Sequence, residues 1–275
     1  MSLLQRVTKA FEKIAPTSLA DLSWDNVGTI LEVPFPRPNG NAVFLTIDFT
    51  SQVVEEALKN PRVGVIVSYH SPIFRSVKKL TTADPKINLV MQCCSAGVAI
   101  YSPHTSLDNC PNGVNDWLAN GIGEGVIRPI TPTKVPGYEA TVAGSGRLLE
   151  LKEPVTVPTI IERVKNYLKL KQLRVASAHK DGDLVQNIAI CAGAGHSILN
   201  RVTADVFLSG EFSHHDILAA LEQKTSVILC EHSNTERGYL SDVLTRALTR
   251  VFNEDGDAPV EVIVSRFDRE PISIV

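Results

Sequence analysis

The stretch "SVILCEHSNTERGYL" (residues 226–240) changes abruptly from apolar to polar character. Its first five residues favour a buried β-strand, because short apolar runs rich in β-branched residues are typical of strands inside a sheet. Glu231 and His232 follow at once, and Glu236 comes four positions after His232. Imidazole and carboxylate groups directly after a buried strand indicate a polar site at the edge of a sheet.

Further apolar runs alternate with segments of helical periodicity. Strands are predicted at "AVFLTIDF" (42–49), "VGVIVS" (63–68), "VAIYS" (98–102), "QNIAICAG", "DVFLSG" and "APVEVIVSRFD". Helices are predicted at "SQVVEEALKN", "INLVMQCCSAG" (87–97), "VPTIIERVKNYLKL" (157–170) and "GYLSDVLTRALTRVF". Strands separated by helices are typical of βαβ units. We therefore predict an α/β fold with mainly parallel mixed sheets.

The chain length of 275 residues favours about two domains. Pro129, Pro132 and Pro136 lie close together and interrupt any long element, so residues 125–147 are predicted to be a domain connection or a hairpin. The prediction is an N-terminal α/β lobe (1–124), this connection, and a C-terminal α/β lobe (148–275). In this prediction, a helix or strand near either terminus can pack in the lobe formed by the other half of the chain.

Composition excludes several classes of protein. The net charge is −3, from 27 basic and 30 acidic residues, so no basic field supports direct binding to DNA. No apolar stretch reaches the roughly 20 residues that a membrane span needs. The N-terminal residues 3–14 have the pattern of an amphipathic helix rather than a secretory signal. Five irregularly spaced cysteines indicate unpaired, mostly buried thiols in the cytoplasm.

Four predicted strands are followed directly by loops that contain histidine. The histidines in these loops are His70, His104, His214, His215 and His232. Ligands of parallel sheets bind beyond the carboxyl ends of the strands. Imidazole and carboxylate groups together suit zinc, iron, manganese or nickel. The pairs His104/Asp108 and His232/Glu236 share a four-residue spacing, which places both members on one face of a helix.

Each of these residues also has a purely structural interpretation. Ser233 and Glu236, like Thr105 and Asp108, fit the S/T-x-x-D/E pattern of a helix capping box. Asp25 and Asn26 in "WDNVG" fit either a pocket or a turn before a strand. Convergence of all four loops on one edge favours metal binding over these separate explanations.

With these motifs assembled, the chain resembles the Nif-three-like family, the NGG-one-interacting factor three proteins. Some members of this family are labelled GTP cyclohydrolase I type 2 homologues. The resemblance spans nearly the whole chain, through "SWDNVGTIL" (23–31), "SYHSPIFRSVKKL", "IYSPHTSLDNCPNGVNDWL", "GEFSHHDILAA" and "CEHSNTERGYL". It implies two similar α/β lobes with a dinuclear metal site in the cleft between them. It also implies a homo-oligomer, either a dimer or a hexamer.

The resemblance further implies a set of metal ligands for one or two divalent ions. These ligands are His70, Asp108, His232 and Glu236, with Glu236 as the bridge and His104 as a further ligand or close neighbour. Tyr69 stands where bacterial relatives have a second histidine, as in the eukaryotic branch. Because tyrosine ionises near pH 10, one metal position is expected to be weaker, differently filled or empty.

Two functions of different classes remain open. The first is a metal-dependent hydrolase for a small or nucleotide-like substrate, in which His214 moves protons. The sequence has no guanine-reading signature that would support GTP cyclohydrolase activity. The alternative is a non-catalytic protein that handles metal or interacts with a transcription coactivator, which adds the nucleus as a second compartment. A purely structural scaffold ranks last, because polar groups at strand ends have little structural use.

Overall fold

The computed structural model describes residues 1–138 and 142–274 and contains two β-sheets with helices packed against them. The strands, numbered along the chain, are β1 (Gly28–Leu31), β2 (Ala42–Thr46), β3 (Val63–Ser68), β4 (Ala99–Ser102), β5 (Gly125–Pro132), β6 (Gly144–Thr156), β7 (Arg174–Ala176), β8 (Leu184–Cys191), β9 (Val206–Ser209), β10 (Ser226–Leu229) and β11 (Glu261–Val264).

The helices connect these strands or flank them. They are α1 (Leu3–Ile14), α2 (Ser51–Lys59), α3 (Pro85–Ser95), α4 (His104–Asn109), α5 (Val114–Asn120), α6 (Val157–Leu168), α7 (His196–Leu199), α8 (His214–Glu222), α9 (Arg237–Tyr239) and α10 (Thr245–Glu254). Short 3₁₀ helices cover Thr17–Leu19 and Ser233–Thr235, and a π-helical turn, Leu240–Leu244, joins α9 to α10.

The first sheet has five strands in the order β1-β4-β3-β2-β11. All its pairings are parallel except that of β1 with β4. Helices α2 and α3 bury apolar residues against it, in a core formed by Ala42, Phe44, Phe49, Val53, Val54, Ala57, Val63, Ile66, Val90, Cys93, Val98 and Ile100. Strands β2, β3 and β4 run in the same direction, so their carboxyl ends lie at one edge of the sheet.

The second sheet has six strands in the order β5-β6-β8-β9-β10-β7. Only β8, β9 and β10 pair in parallel, while β5-β6, β6-β8 and β10-β7 are antiparallel. Strands β5 and β6 are consecutive along the chain and pair as an antiparallel hairpin. The second sheet therefore has more antiparallel than parallel pairings, whereas mainly parallel sheets were predicted from the sequence.

The chain divides into two compact units. The first unit comprises Met1–Leu107 and Tyr239–Arg269, and the second comprises Asp108–Gly238 and Glu270–Val275. Within the first unit, β11 pairs with β2 and the Arg6 guanidinium of α1 binds Asp255 at 2.8 Å. The C-terminal helix and strand thus pack with the N-terminal sheet.

The predicted mixed α/β fold with two sheets is confirmed, and the predicted core strands and long helices are observed. Of the two interpretations of residues 125–147, the structure has the hairpin, although 139–141 lie outside the described residues. The lobe boundaries predicted from sequence, and a metal site between lobes, stay predictions.

The five cysteines are unpaired and most are buried, as predicted. Burial raises the pKa of the Cys93, Cys110 and Cys230 thiols to about 12, which keeps them protonated at neutral pH. In the part of the chain that the structure describes, no helix is both long and apolar enough to cross a bilayer.

Arg147 anchors the β5–β6 hairpin to α5 in the second unit. Its buried guanidinium forms a two-pronged ion pair with Asp116 and donates to the carbonyl oxygens of Gly144, Gly146 and Cys110. A charge removed from water needs such a complete set of partners, since each unsatisfied group is costly to bury.

We expect Arg147→Met to lower the free energy of unfolding by about 3–5 kcal/mol, because it leaves a carboxylate and three carbonyl groups without their donor. Arg128→Met is the matched control. Arg128 pairs with Glu150 on the exposed side of the same hairpin, so its loss should cost less than about 1 kcal/mol. Denaturant unfolding measures both changes, and equal losses would refute the anchoring role.

Candidate functional site

In the second unit, the loop after β10 starts with a strained residue. Glu231 has φ +65°, in the left-handed region that favours glycine. The Arg174 guanidinium holds its carboxylate through two contacts, Nε to Oε1 at 2.7 Å and an Nη to Oε2 at 3.1 Å. Strained backbone of this kind concentrates at functional sites. The turn at Glu231 sets the direction in which His232 leaves the sheet.

His232 and Glu236 contact each other, as their spacing predicted. Nε2 of His232 lies 3.5 Å from Oε1 of Glu236, whose side chain is only 3% exposed. The intervening turn is 3₁₀ rather than α-helical. The Ser233 hydroxyl donates to Glu270 at 2.7 Å. The serine is therefore engaged away from the capping box that was the structural alternative for this motif.

Gly193, in the loop after β8, packs directly against this pair. A Cβ atom at residue 193 would lie 2.8 Å from Nε2 of His232 and 3.0 Å from Oε1 of Glu236. Gly193 has φ +61°, and its amide donates to the Thr235 hydroxyl at 2.9 Å. Only glycine fits both the backbone angle and the space. Sequence reasoning missed this residue, although "CAGAG" directly after an apolar strand was the available signal.

In the first unit, His70 follows β3 and His104 follows β4. Nδ1 of His70 lies 2.9 Å from an Asp48 carboxylate oxygen, and Nδ1 of His104 lies 2.7 Å from one of Asp25. The two imidazole rings are 5.3 Å apart between centroids. The rim of the first sheet therefore brings two of the predicted ligands together, each beside its own carboxylate.

Asp25 contacts a candidate metal ligand, His104. From sequence, this residue fitted either a pocket or a turn before a strand. Burial alone would raise the pKa of its carboxyl, but hydrogen bonds from His104 and Thr105 outweigh burial and lower that pKa below its usual value. One carboxylate oxygen accepts from the Thr105 hydroxyl at 2.5 Å. Asp25 is thus held ionised beside His104.

The three histidines share one arrangement. In the second unit, Nδ1 of His232 lies 2.7 Å from a Glu211 carboxylate oxygen, just as His70 meets Asp48 and His104 meets Asp25. A carboxylate accepts a hydrogen bond, so these contacts fit the tautomer that has its proton on Nδ1 and its lone pair on Nε2. Metal-binding histidines characteristically have this second partner.

Two carboxylates near the C-terminus accept hydrogen bonds from loops that carry candidate ligands, one carboxylate in each unit. Asp268 accepts from the backbone amide of Ile47 at 2.8 Å and from that of Asp48 at 3.4 Å. Glu270 accepts from the Ser233 amide at 2.9 Å. Asp268 therefore positions the residue that orients His70, and Glu270 positions the residue that follows His232.

Among the residues that the structure describes, His70, His232 and Glu236 form a group that could hold a metal ion. His104 and Asp108 are not members of this group. They lie four residues apart in α4, as predicted. Burial, followed by the charges of Asp108 and Glu236, raises the pKa of the Cys191 thiol.

His214 lies on the exposed first turn of α8, 5.5 Å between ring centroids from His215. The loop before α8 contacts His232 through Glu211. The role of His214 stays a prediction.

Tyr69 is buried, and its ring packs edge-on against both His70 and His104.

Comparison with known proteins places these features in a family. Residues 2–271 match the family model Duf34/NIF3 (NGG1p interacting factor 3). The chain belongs to this family. It is 42% identical to "Protein NIF3 homolog" of Schizosaccharomyces pombe, over 99% of this chain and 98% of that protein. It is 33% identical to "NGG1-interacting factor 3" of Saccharomyces cerevisiae, over 98% and 96%.

The fold of this NIF3-family chain also matches solved structures. Hypothetical protein SA1388 of Staphylococcus aureus aligns with a TM-score of 0.82 and 23% identity, covering 99% of both chains. At that identity the match concerns the fold alone. The resemblance stated from the sequence motifs is confirmed.

We expect Gly193→Ala to abolish metal binding, because its methyl group would occupy the space beside His232 Nε2. Gly182→Ala is the matched control: Gly182 also has positive φ, but nothing lies within 4 Å of a Cβ placed there. Both changes should cost about 1–2 kcal/mol of folding free energy through backbone strain, and Gly193→Ala should cost more than Gly182→Ala because its methyl group also meets His232 and Glu236. Elemental analysis of protein purified without chelators separates them, and metal retained in Gly193→Ala would contradict this geometry.

Proposed function

We propose that this NIF3-family protein binds a divalent transition-metal ion through His70, His232 and Glu236 and uses it to hydrolyse a small substrate. The observation that carries the proposal is the carboxylate at Nδ1 of His70, His104 and His232. Three such pairs on the loops of two sheets have no role in packing a core. They do have a role in presenting Nε2 to an ion.

The donor set fits such an ion chemically. Two imidazole nitrogens and a carboxylate oxygen suit zinc, iron, manganese or nickel. Two ligands at tetrahedral positions about 2.0–2.1 Å from one ion lie about 3.3 Å apart. Nε2 of His232 and Oε1 of Glu236 are separated by 3.5 Å. Gly193 provides the open space beside both atoms.

A second ion is part of the proposal. His104 and Asp108 would supply its ligands, with Glu236 bridging the two ions. Tyr69 is buried beside His70 and His104, and its phenol is a poorer ligand than imidazole at neutral pH. The second position is therefore expected to bind its ion more weakly than the first.

The chemistry of hydrolysis would be shared between an ion and the chain. A bound divalent ion polarises a substrate oxygen and lowers the pKa of a coordinated water. Asp48, Asp25 and Glu211 hold the imidazoles in one orientation, so little reorganisation is needed during the reaction. His214, exposed on the first turn of α8, would move a proton between solvent and the substrate.

A non-catalytic role is the second candidate, and one finding favours it. The Saccharomyces cerevisiae relative is named an NGG1-interacting factor, which suggests a protein partner for this chain as well. In that case the ion would stabilise a binding surface or be passed to another protein. A dimer or hexamer, and residence in the cytoplasm and nucleus, remain predictions from the sequence.

We expect His232→Ala to lose the tighter metal ion and all metal-dependent turnover. His179→Ala is the matched control, because Nδ1 of His179 lies 2.8 Å from the Ser226 hydroxyl rather than from a carboxylate. Metal content by elemental analysis and turnover against a panel of phosphoesters and cyclic nucleotides measure the two effects. Metal retained in His232→Ala would refute the site.

The same experiment separates the two candidate functions. Turnover in the wild type and in His179→Ala, with none in His232→Ala, supports the hydrolase. Stoichiometric metal in the wild type without turnover across the panel supports the non-catalytic role.

A further inference from the structure

Two exposed aromatic rings stand beside His104 in the first unit. Trp24 is 52% exposed and Phe74 is 46% exposed. Their ring centroids are 5.9 Å apart, and the centroid of His104 lies 5.9 Å from Trp24 and 6.3 Å from Phe74. We call Trp24 and Phe74 the aromatic wall. Exposed aromatic rings contribute little to the free energy of folding. A pair of them beside a proposed metal ligand therefore favours a role in binding.

Hydrogen bonds hold the aromatic wall in place. The Ser23 hydroxyl donates to an Asp21 carboxylate oxygen at 2.5 Å, and the Trp24 backbone amide donates to the carbonyl oxygen of Asp21 at 3.4 Å. The Asn26 side chain donates to the carbonyl oxygen of Ile73 at 2.5 Å, which ties the loop of Phe74 to the loop of Trp24. Loops that are joined before binding lose less entropy when a ligand arrives.

The loop that carries Phe74 is long and basic. Residues 69–84 connect β3 to α3 without a helix or strand. Loops longer than about 12–15 residues without secondary structure are usually functional or disordered. Arg75, Lys78 and Lys79 are exposed on this loop. Its one acidic residue, Asp84, caps α3 by accepting from the amides of Lys86 and Ile87.

We propose that the aromatic wall binds a planar heteroaromatic ring that carries a phosphate group, with the phosphate facing the cations of the 69–84 loop. A nucleoside monophosphate is the simplest molecule of this class. Aromatic stacking supplies affinity for the ring, and lysine and arginine supply it for the phosphate. This proposal names a substrate class for the proposed function. It rests on that function for the reaction itself, because the ring and the phosphate would lie beside His104.

The test uses the full-length, metal-free protein with AMP as the probe. The chain has two tryptophans. Trp117 is 5% exposed and packs on Tyr167 with ring centroids 5.1 Å apart, so a change in emission on adding AMP reports on Trp24. AMP should quench this emission, and adenosine and ribose 5-phosphate should each bind at least about tenfold more weakly, because each lacks one of the two recognised groups.

Variants identify the residues responsible, with binding measured by calorimetry. Phe74→Ala should weaken AMP binding by about tenfold, which corresponds to the loss of one stacking contact. Phe267→Ala removes another phenylalanine of similar exposure, 52%, and should leave binding unchanged. Trp24→Phe should retain most of the affinity, because a ring remains in place, whereas Trp24→Ala should not.

Three results would overturn the proposal. They are equal binding of AMP and ribose 5-phosphate, unchanged affinity in Phe74→Ala, and Trp24 emission that responds to protein concentration rather than to AMP. The last would show that a second copy of the chain covers the aromatic wall. AMP binding is measured on metal-free protein and metal content is measured without AMP, so failure of the metal site and failure of the aromatic wall give different results.

Discussion

A carboxylate at Nδ1 determines where each of three imidazoles keeps its lone pair. Asp48, Asp25 and Glu211 perform this task for His70, His104 and His232. The metal proposal depends on this constraint, because a histidine free to change tautomer or rotate binds an ion less tightly. These partners are carboxylates on loops at the sheet edges.

The loops at these sheet edges also contain residues with strained backbone angles and buried carboxylates. Glu231 and His104 both have positive φ, and Gly193 fills a position that no other residue fits. Glu236 is buried next to the imidazole of His232. A bound cation would offset the cost of burying the Glu236 carboxylate and so stabilise the folded protein.

The sequence predicted the parallel strands and the edge they define, because runs such as "VGVIVS" and "SVILC" leave little ambiguity and histidines follow them directly. It did not predict Asp48 and Glu211 as histidine partners, nor the close approach of Gly193. Those contacts join loops that follow different strands, so they depend on strand order, which local pattern does not encode. The antiparallel strands β5 and β6 were obscured by prolines and glycines that also fit a connection.

The most direct test of the metal proposal is anomalous X-ray diffraction from crystals grown without added metal. The account predicts an anomalous peak at a transition-metal absorption edge, coordinated by Nε2 of His70, Nε2 of His232 and a carboxylate oxygen of Glu236. Absence of a peak there, or ligation through Nδ1 after displacement of Asp48 and Glu211, would contradict it.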